Sequence, residues 1–317
     1  IRDLVRSRGL GDVYKRQLIK SLVVSISGPK NSRETQDSLE LTRTDILLLT
    51  KARLSFLVII TTVVGFILAS KSNGEVINWW LLLHTIIGCA FAATASSIFN
   101  QLMEIDIDAK MSRTAVRPLP SKKIKPAVAF LMGWVFAAIG LIHLAVKVTP
   151  LACAFAAATL FVYMFVYTPL KTKTGLNTLV GAISGALPPL VGWAGANGSF
   201  EIFAPYFLFG LLFLWQLPHF VAINWMYRDQ YESAGFIMWS NGDKTGKKSA
   251  NLAIFFSLVL VIFVVVSFFG SSINVFALSS LLALSIFKFL LACKFRKSPS
   301  QKKAKRLFLY TLLYLPM

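Results

Sequence analysis

Residues 100–120 read NQLMEIDIDAKMSRTAVRPLP and follow the apolar run FAATASSIF. Three of the chain's 14 acidic residues, Glu104, Asp106 and Asp108, fall inside this stretch, in a protein whose formal net charge is +19. Lys110, Arg113 and Arg117 follow at once. The apolar run decides the fold, because it closes a stretch, about 79–100, that is long enough to cross lipid as a helix. The acids at its end place hard oxygen donors at a membrane edge.

Working outward, the same kind of run recurs. The chain is 56% hydrophobic and 15% charged over 317 residues, too apolar for a soluble domain of this length. Its apolar stretches of about 17–22 residues can each cross a hydrocarbon core of roughly 30 Å as a helix. Spans are expected at about 53–70, 79–100, 127–146, 149–168, 176–196, 203–226, 251–270 and 272–292, with a partial one at 307–317. The fold class is an all-α polytopic membrane protein of about nine transmembrane helices. With the N-terminus inside, the inside loops hold Lys110 to Lys125, Lys171 and Lys173, Arg228 to Lys248, and the cluster from Lys294 to Arg306. The outside loops hold little beyond Lys71 and Lys147. This asymmetry sets the orientation and puts the chemically interesting loops on the cytoplasmic face. Spread over alternate loops, the basic excess does not form a nucleic-acid stripe. Lys288 falls inside the eighth span, where it is expected to snorkel. Cys89, Cys153 and Cys293 give no disulfide framework or metal spacing.

The ends fit poorly. Residues 1–17, with DVYKRQ, resemble a translated sequencing adapter and are set aside as an assembly scar. Residues 18–42 are polar and expected to be a flexible cytoplasmic arm. The membrane domain then runs over 43–317, its last helix expected to be truncated. The long loops 101–126 and 227–250 follow the second and sixth spans, have room for a short helix each, and suggest a weak internal repeat of two four-helix halves.

On a helix, Asn100, Glu104 and Asp108 fall at i, i+4 and i+8 on one face, while Asp106 points away. An amide and two carboxylates suit Mg²⁺, which prefers few carboxylates plus water and substrate phosphates. Arg113, Arg117 and Lys110 cannot ligate a cation but can hold phosphate oxygens. The pattern therefore suggests a metal–diphosphate complex. The plainer reading is a set of solvated loop charges pairing with each other. It is weakened by Asn100, because polar groups at membrane depth cost about 2.5–3.5 kcal/mol each when charged.

A second cluster lies in LWQLPHFVAINWMYRDQYESAGFIM. Pro218 interrupts an apolar helix, and His219 follows it near membrane depth. Tyr227 and Tyr231, at i and i+4, can donate to phosphate oxygens, or can simply belong to an aromatic interface belt. Arg228 and Asp229 stand between them. Lys171 and Lys173 are either positive-inside charge or further phosphate contacts. The fifth span, rich in Gly and broken by Pro188 and Pro189, suits a helix that shapes a cavity.

With these residues assembled, the sequence resembles the UbiA-type intramembrane prenyltransferase superfamily, and within it the haem O synthase (protohaem IX farnesyltransferase) branch. NQLMEIDIDAKMSRTAVRPLP, YTPLKTKTGLNTLVGAISGALPPLVGW, WQLPHF and YRDQYESAGFIM carry the resemblance, which runs from about Thr50 onward. Asn100, Glu104 and Asp108 match the first acidic motif. Arg113, Thr114, Arg117 and Pro118 match its following pairs, Lys171 its phosphate lysine, and His219 its Pro-His-Phe histidine. Where the superfamily's second motif usually has two Asp residues, this chain has Tyr227 and Tyr231, as the haem branch does. The resemblance implies helices around a central cavity and farnesyl transfer from farnesyl diphosphate to a vinyl group of haem B, giving haem O, with Mg²⁺ on Asn100, Glu104 and Asp108. It implies catalytic roles for these three and for Arg113, Lys171 and Tyr227. It implies substrate binding by Arg117, Lys173, His219, Arg228, Asp229 and Tyr231, with His219 either ligating haem iron or orienting water. The expected partners are membrane lipid and a haem A synthase or terminal-oxidase assembly proteins, at a bacterial inner membrane. A related enzyme acting on a quinone precursor is the first rival. A secondary transporter is disfavoured because the charges gather at one membrane face rather than the midplane.

Overall fold

The computed structural model describes residues 42–270 and 273–315, and these contain helices and loops but no strand. The expectations for residues 1–17 and for the arm up to residue 41 lie outside the described residues. Eight helices are long and apolar enough to cross a membrane: α1 Ala52–Ser72, α2 Trp79–Met103, α3 Pro126–Lys147, α4 Pro150–Leu170, α5 Asn177–Gly195, α6 Ala204–Met226, α7 Lys247–Phe269 and α8 Val275–Lys297. A shorter α9, Gln301–Tyr314, begins six residues before its expected start at 307. The eighth span sits a few residues later than expected, because Asn274 caps it by accepting from the Phe276 N–H at 2.8 Å. Asn78 caps α2 and Thr149 caps α4 in the same way. Pro150 follows Thr149 at the position where a missing N–H costs nothing.

Lipid accepts apolar side chains on the outer surface, so burial marks the interior of the bundle. In α5 the apolar window is 72% buried, against 22–44% for the other spans. It is the central helix, packed on α1, α4 and α6. Its glycines make this possible. A Cβ on Gly192 would lie 1.8 Å from the Thr62 carbonyl oxygen of α1, and one on Gly65 of α1 would lie 2.0 Å from the Pro189 carbonyl oxygen. The two backbones therefore touch. The Pro188–Pro189 pair divides α5 at Leu187, as expected of it. By contrast α6 runs helical through Pro218, and α4 contains an unforeseen π-helical turn over Val162–Tyr167. Such turns are frequent at functional sites.

Lys288 does not snorkel. It is fully buried, its Nζ has no hydrogen-bond partner, and it lies 4.6 Å from the Tyr314 ring centroid. Its position midway along α8, facing α9, leaves the stem no route to the membrane edge.

Both long loops carry a short helix, Ile105–Asp108 and Arg228–Ala234. They meet through an apolar cluster of Met111, Ala234, Phe236 and Met238. The second loop is pinned to the end of α4, where the Ile237 N–H donates to the Lys171 carbonyl at 2.7 Å. Its far end is held by Asp243, whose carboxylate accepts the Ser249 N–H at 2.7 Å. Burial acts to raise the Asp243 pKa, but this N–H and the Ser249 and Thr245 hydroxyls outweigh it and hold the group below its ordinary value.

Candidate active site

The first acidic stretch does not continue α2 unbroken. The helix stops at Met103, and Glu104 takes φ −110°, ψ 15° before the next short helix. The i+4 bonding nevertheless persists. Glu104 N–H donates to the Asn100 carbonyl at 3.2 Å and Asp108 N–H to the Glu104 carbonyl at 2.7 Å. Asn100, Glu104 and Asp108 are consequently buried on one side, while Asp106 is exposed. All three line a polar chamber of about 180 Å³ under the two long loops.

Each of the three is held by a cation. Lys51 Nζ donates to Asn100 Oδ1. Lys171 Nζ meets Glu104 Oε1 at 2.7 Å, and Arg117 Nη1 meets Asp108 Oδ2 at 2.6 Å. Buried carboxylates need such partners, since an unpaired buried charge is expensive. Burial raises the Asp108 pKa, with Arg117 opposing. Burial also acts to lower Lys171, but Glu104, Tyr167 and Tyr163 outweigh it and raise the ammonium above its usual range. The π-helical turn helps here, because it sets the Tyr167 ring 4.5 Å from Lys171 Nζ. Lys51 is pulled down to about 7 by burial, then by Lys171 and Arg117. An anion in the chamber would restore its proton.

Lys51 was not singled out by the sequence. It adopts φ 46°, ψ 47°, a left-handed conformation costing roughly 1–2 kcal/mol for a residue with a Cβ. The turn separates helix Arg43–Leu49 from α1. Gln101 anchors that helix by donating to the Leu48 and Leu49 carbonyls at 2.9 and 2.8 Å. A lone lysine before an apolar span carries no signal beyond positive-inside charge. Asn177, Thr178 and Asn224 also line the chamber. Their signal was present, as polar groups beside or within apolar spans.

The second cluster divides. Tyr231 lines the chamber, and Tyr227 lies beside it, with ring centroids 6.4 Å apart. Arg113, at the rim, sits 5.4 Å from the Tyr227 ring centroid. Arg228 and Asp229, expected to bind substrate, stand outside the chamber. Asp229 is 84% exposed and pairs with Arg228 at 3.5 Å, while Arg228 lies over Trp225. Lys173 and Lys110 are likewise exposed and do not line it. Only one face of each short helix points inward, and spacing alone does not say which.

His219 reaches the chamber from α6, its ring stacked on Phe308 and Trp215. Its Nδ1 lies 2.8 Å from Thr311 Oγ1, which donates its own hydrogen to the Phe308 carbonyl at 2.5 Å. The hydroxyl must therefore accept, so Nδ1 carries the ring hydrogen and Nε2 keeps a lone pair.

Beyond Tyr167 and Phe220, which line both spaces, an apolar chamber of about 240 Å³ runs between α1, α2, α4 and α5. Its walls include Leu54, Val58, Ala92, Leu160, Pro188 and Val191. The polar space is lined by paired charges and the apolar space by hydrocarbon side chains. The sequence profile of the UbiA prenyltransferase family matches residues 58–313.

The chain belongs to the UbiA prenyltransferase family.

Relatives and solved structures agree with that membership. The chain is 36% identical over 275 residues to the protoheme IX farnesyltransferase of Rhodopirellula baltica, covering 84% of this chain and 95% of the relative. It is 38% identical over 272 residues to the mitochondrial protoheme IX farnesyltransferase of Arabidopsis thaliana, covering 85% of this chain and 62% of that one. Among solved structures, a digeranylgeranylglyceryl phosphate synthase superposes with a TM-score of 0.69 at 18% identity, covering 86% of this chain and 94% of that one. A UbiA homologue from Archaeoglobus fulgidus bound to DMAPP and Mg²⁺ superposes with a TM-score of 0.65 at 16% identity, covering 86% and 99%. These two share the UbiA fold with this chain.

The donor chemistry of the chamber fits such a metal. Two carboxylates and an amide oxygen are hard ligands, and cationic side chains already stand on each. Among the described residues no three His, Cys, Asp or Glu side chains converge. A metal here would complete its shell with water and phosphate oxygens, as Mg²⁺ usually does.

Proposed function

We propose that this protein transfers the farnesyl group of farnesyl diphosphate to a vinyl group of haem B, giving haem O. The observation that carries the reading is the polar chamber, with carboxylates and cations paired, opening at Tyr167 and Phe220 onto an apolar one. The acceptor is taken from the relatives named protoheme IX farnesyltransferase. They favour haem over a quinone precursor.

Mg²⁺ would be held by Asn100, Glu104 and Asp108, and would draw charge from the diphosphate as the allylic C–O bond breaks. Lys171, Arg117 and Arg113 bind the phosphate oxygens and stabilise the negative charge that grows on them. Lys51 is placed to join them. Tyr231, with Tyr227 behind it, donates hydrogen bonds at the opposite wall. The apolar chamber aligns the farnesyl chain and keeps water from the allylic carbon. The vinyl group attacks that carbon, and water then adds beside the ring to give a hydroxyethylfarnesyl substituent. His219 presents the Nε2 lone pair, suited to ligating haem iron or to orienting that water. The one-sided distribution of basic residues supports loops on the cytoplasmic side of a bacterial inner membrane. A haem A synthase or terminal-oxidase assembly proteins would take up the product.

The test offers both acceptors at once. Membranes containing the protein receive farnesyl diphosphate, Mg²⁺, haem B and 4-hydroxybenzoate, with an EDTA control, and extracts are analysed by mass spectrometry. A metal-dependent farnesylated haem is expected. Farnesylated hydroxybenzoate without modified haem would overturn the reading.

A further inference from the structure

The ends of α2 and α6 are built alike. Glu104 breaks α2 at φ −110°, ψ 15°, and Tyr227 breaks α6 at φ −112°, ψ 17°. Across the second break Tyr227 N–H donates to the Ile223 carbonyl at 3.1 Å, and Tyr231 N–H to the Tyr227 carbonyl at 3.0 Å. This repeats the bonding of Asn100, Glu104 and Asp108. The two halves of the protein therefore place equivalent triplets at one chamber: Asn100, Glu104 and Asp108 line it from the first, and Ile223 and Tyr231 line it from the second, with Tyr227 beside it.

The first triplet offers three hard oxygens. The second offers an alkyl chain and two phenols, which are poor ligands for a divalent cation. Glu104 and Asp108 are the only carboxylates among the described residues lining the chamber. Asp229, within the second triplet, faces out against Arg228, and Glu232, next to Tyr231, is exposed and accepts the Gly242 N–H at 3.4 Å. What stands beside the second triplet is a cation, the Arg113 guanidinium over the Tyr227 ring.

We propose that this chamber takes a single divalent cation with the diphosphate, on the first triplet, and that Arg113 supplies at the second triplet the charge another ion would bring. The proposal rests on the diphosphate reading above. Charge balance supports it. Leaving Lys51 aside, the lining carries Arg113, Arg117 and Lys171 against Glu104 and Asp108. A diphosphate trianion with one divalent cation leaves the filled chamber near neutrality. A second ion would add charge where no carboxylate can hold it. A guanidinium can take two phosphate oxygens by its fork and needs no ligands of its own.

Equilibrium dialysis with Mn²⁺ counts the ions. The full chain in detergent is saturated with a farnesyl diphosphate analogue carrying sulfur in place of the bridging ester oxygen, so that no transfer occurs. One Mn²⁺ per bound analogue is expected, with the electron paramagnetic resonance spectrum of an isolated ion. Arg113→Gln should weaken the analogue by roughly tenfold to a hundredfold at unchanged metal count, and Arg113→Lys should recover part of the loss. Two Mn²⁺ with the spectrum of a coupled pair, such as ions about 3.5–4 Å apart give, would overturn the proposal but keep the diphosphate reading. Unchanged analogue affinity in Arg113→Gln would overturn the role of Arg113. Analogue binding that ignores Mn²⁺ altogether would overturn both readings.

Discussion

Lys171 joins the two loops that border the chamber. Its ammonium neutralises the buried Glu104 at 2.7 Å, and its carbonyl anchors the second loop through Ile237. Lys171→Met should reduce kcat by about 10²–10³, the size of a lost oxyanion-type donor. It should also lower thermal stability, because Glu104 is left buried and unpaired. Lys171→Met combined with Glu104→Gln should regain stability without regaining activity. Thermal unfolding beside product assays on the three variants checks this. At this scale the sequence was readable where a polar residue interrupts apolar surroundings, as at Asn100 and His219. It was not readable where a charge belongs to a basic loop. Lys51 in the chamber and Lys173 outside it look alike as text, and only the left-handed turn at Lys51 and the register after Leu170 separate them. Lys288 shows the converse, since a lysine in a span reads as snorkelling until the α9 side is seen to enclose it.

Elements were legible because membrane helices are long and uniformly apolar. Their packing was legible only in part. The glycine spacing of α5 pointed to close approach, and the structure adds its partner, the Thr62 turn of α1. Gly192→Ala should therefore cost more than the usual overpacking of roughly 1–3 kcal/mol, since its Cβ meets backbone rather than a movable side chain. A drop in midpoint temperature well beyond that of Gly181→Ala, whose Cβ meets the Tyr167 ring edge, is the expected result in nanodisc-bound protein. The π-helical turn in α4 left no trace in the sequence. It adds a residue to the last turns, redirecting Tyr163 and Tyr167 toward Lys171, and nothing in VYMFVY distinguishes that from an ordinary helix.

Taken as one molecule, the protein gathers its polar chamber at one end of an apolar bundle. Loops 101–125 and 227–246 close that end, and the basic residues ring it. If this end faces the cytoplasm, cysteine placed at Ser121 should react with a membrane-impermeant maleimide only in inside-out vesicles. Cysteine placed at Ser199, in the opposite loop, should react only in right-side-out ones. Both are made in a background lacking Cys89, Cys153 and Cys293. The reverse pattern would invert the topology.

The claim most exposed to test is that the i+4 bonding kept across the break at Glu104 sorts the acids, sending Glu104 and Asp108 into the chamber and Asp106 out to solvent. Farnesylated haem is measured by mass spectrometry in membranes carrying the wild type, Asp106→Asn or Asp108→Asn at matched protein levels. The account predicts near wild-type yield from Asp106→Asn and a loss of about 10²-fold or more from Asp108→Asn. Equal losses at the two positions would contradict it.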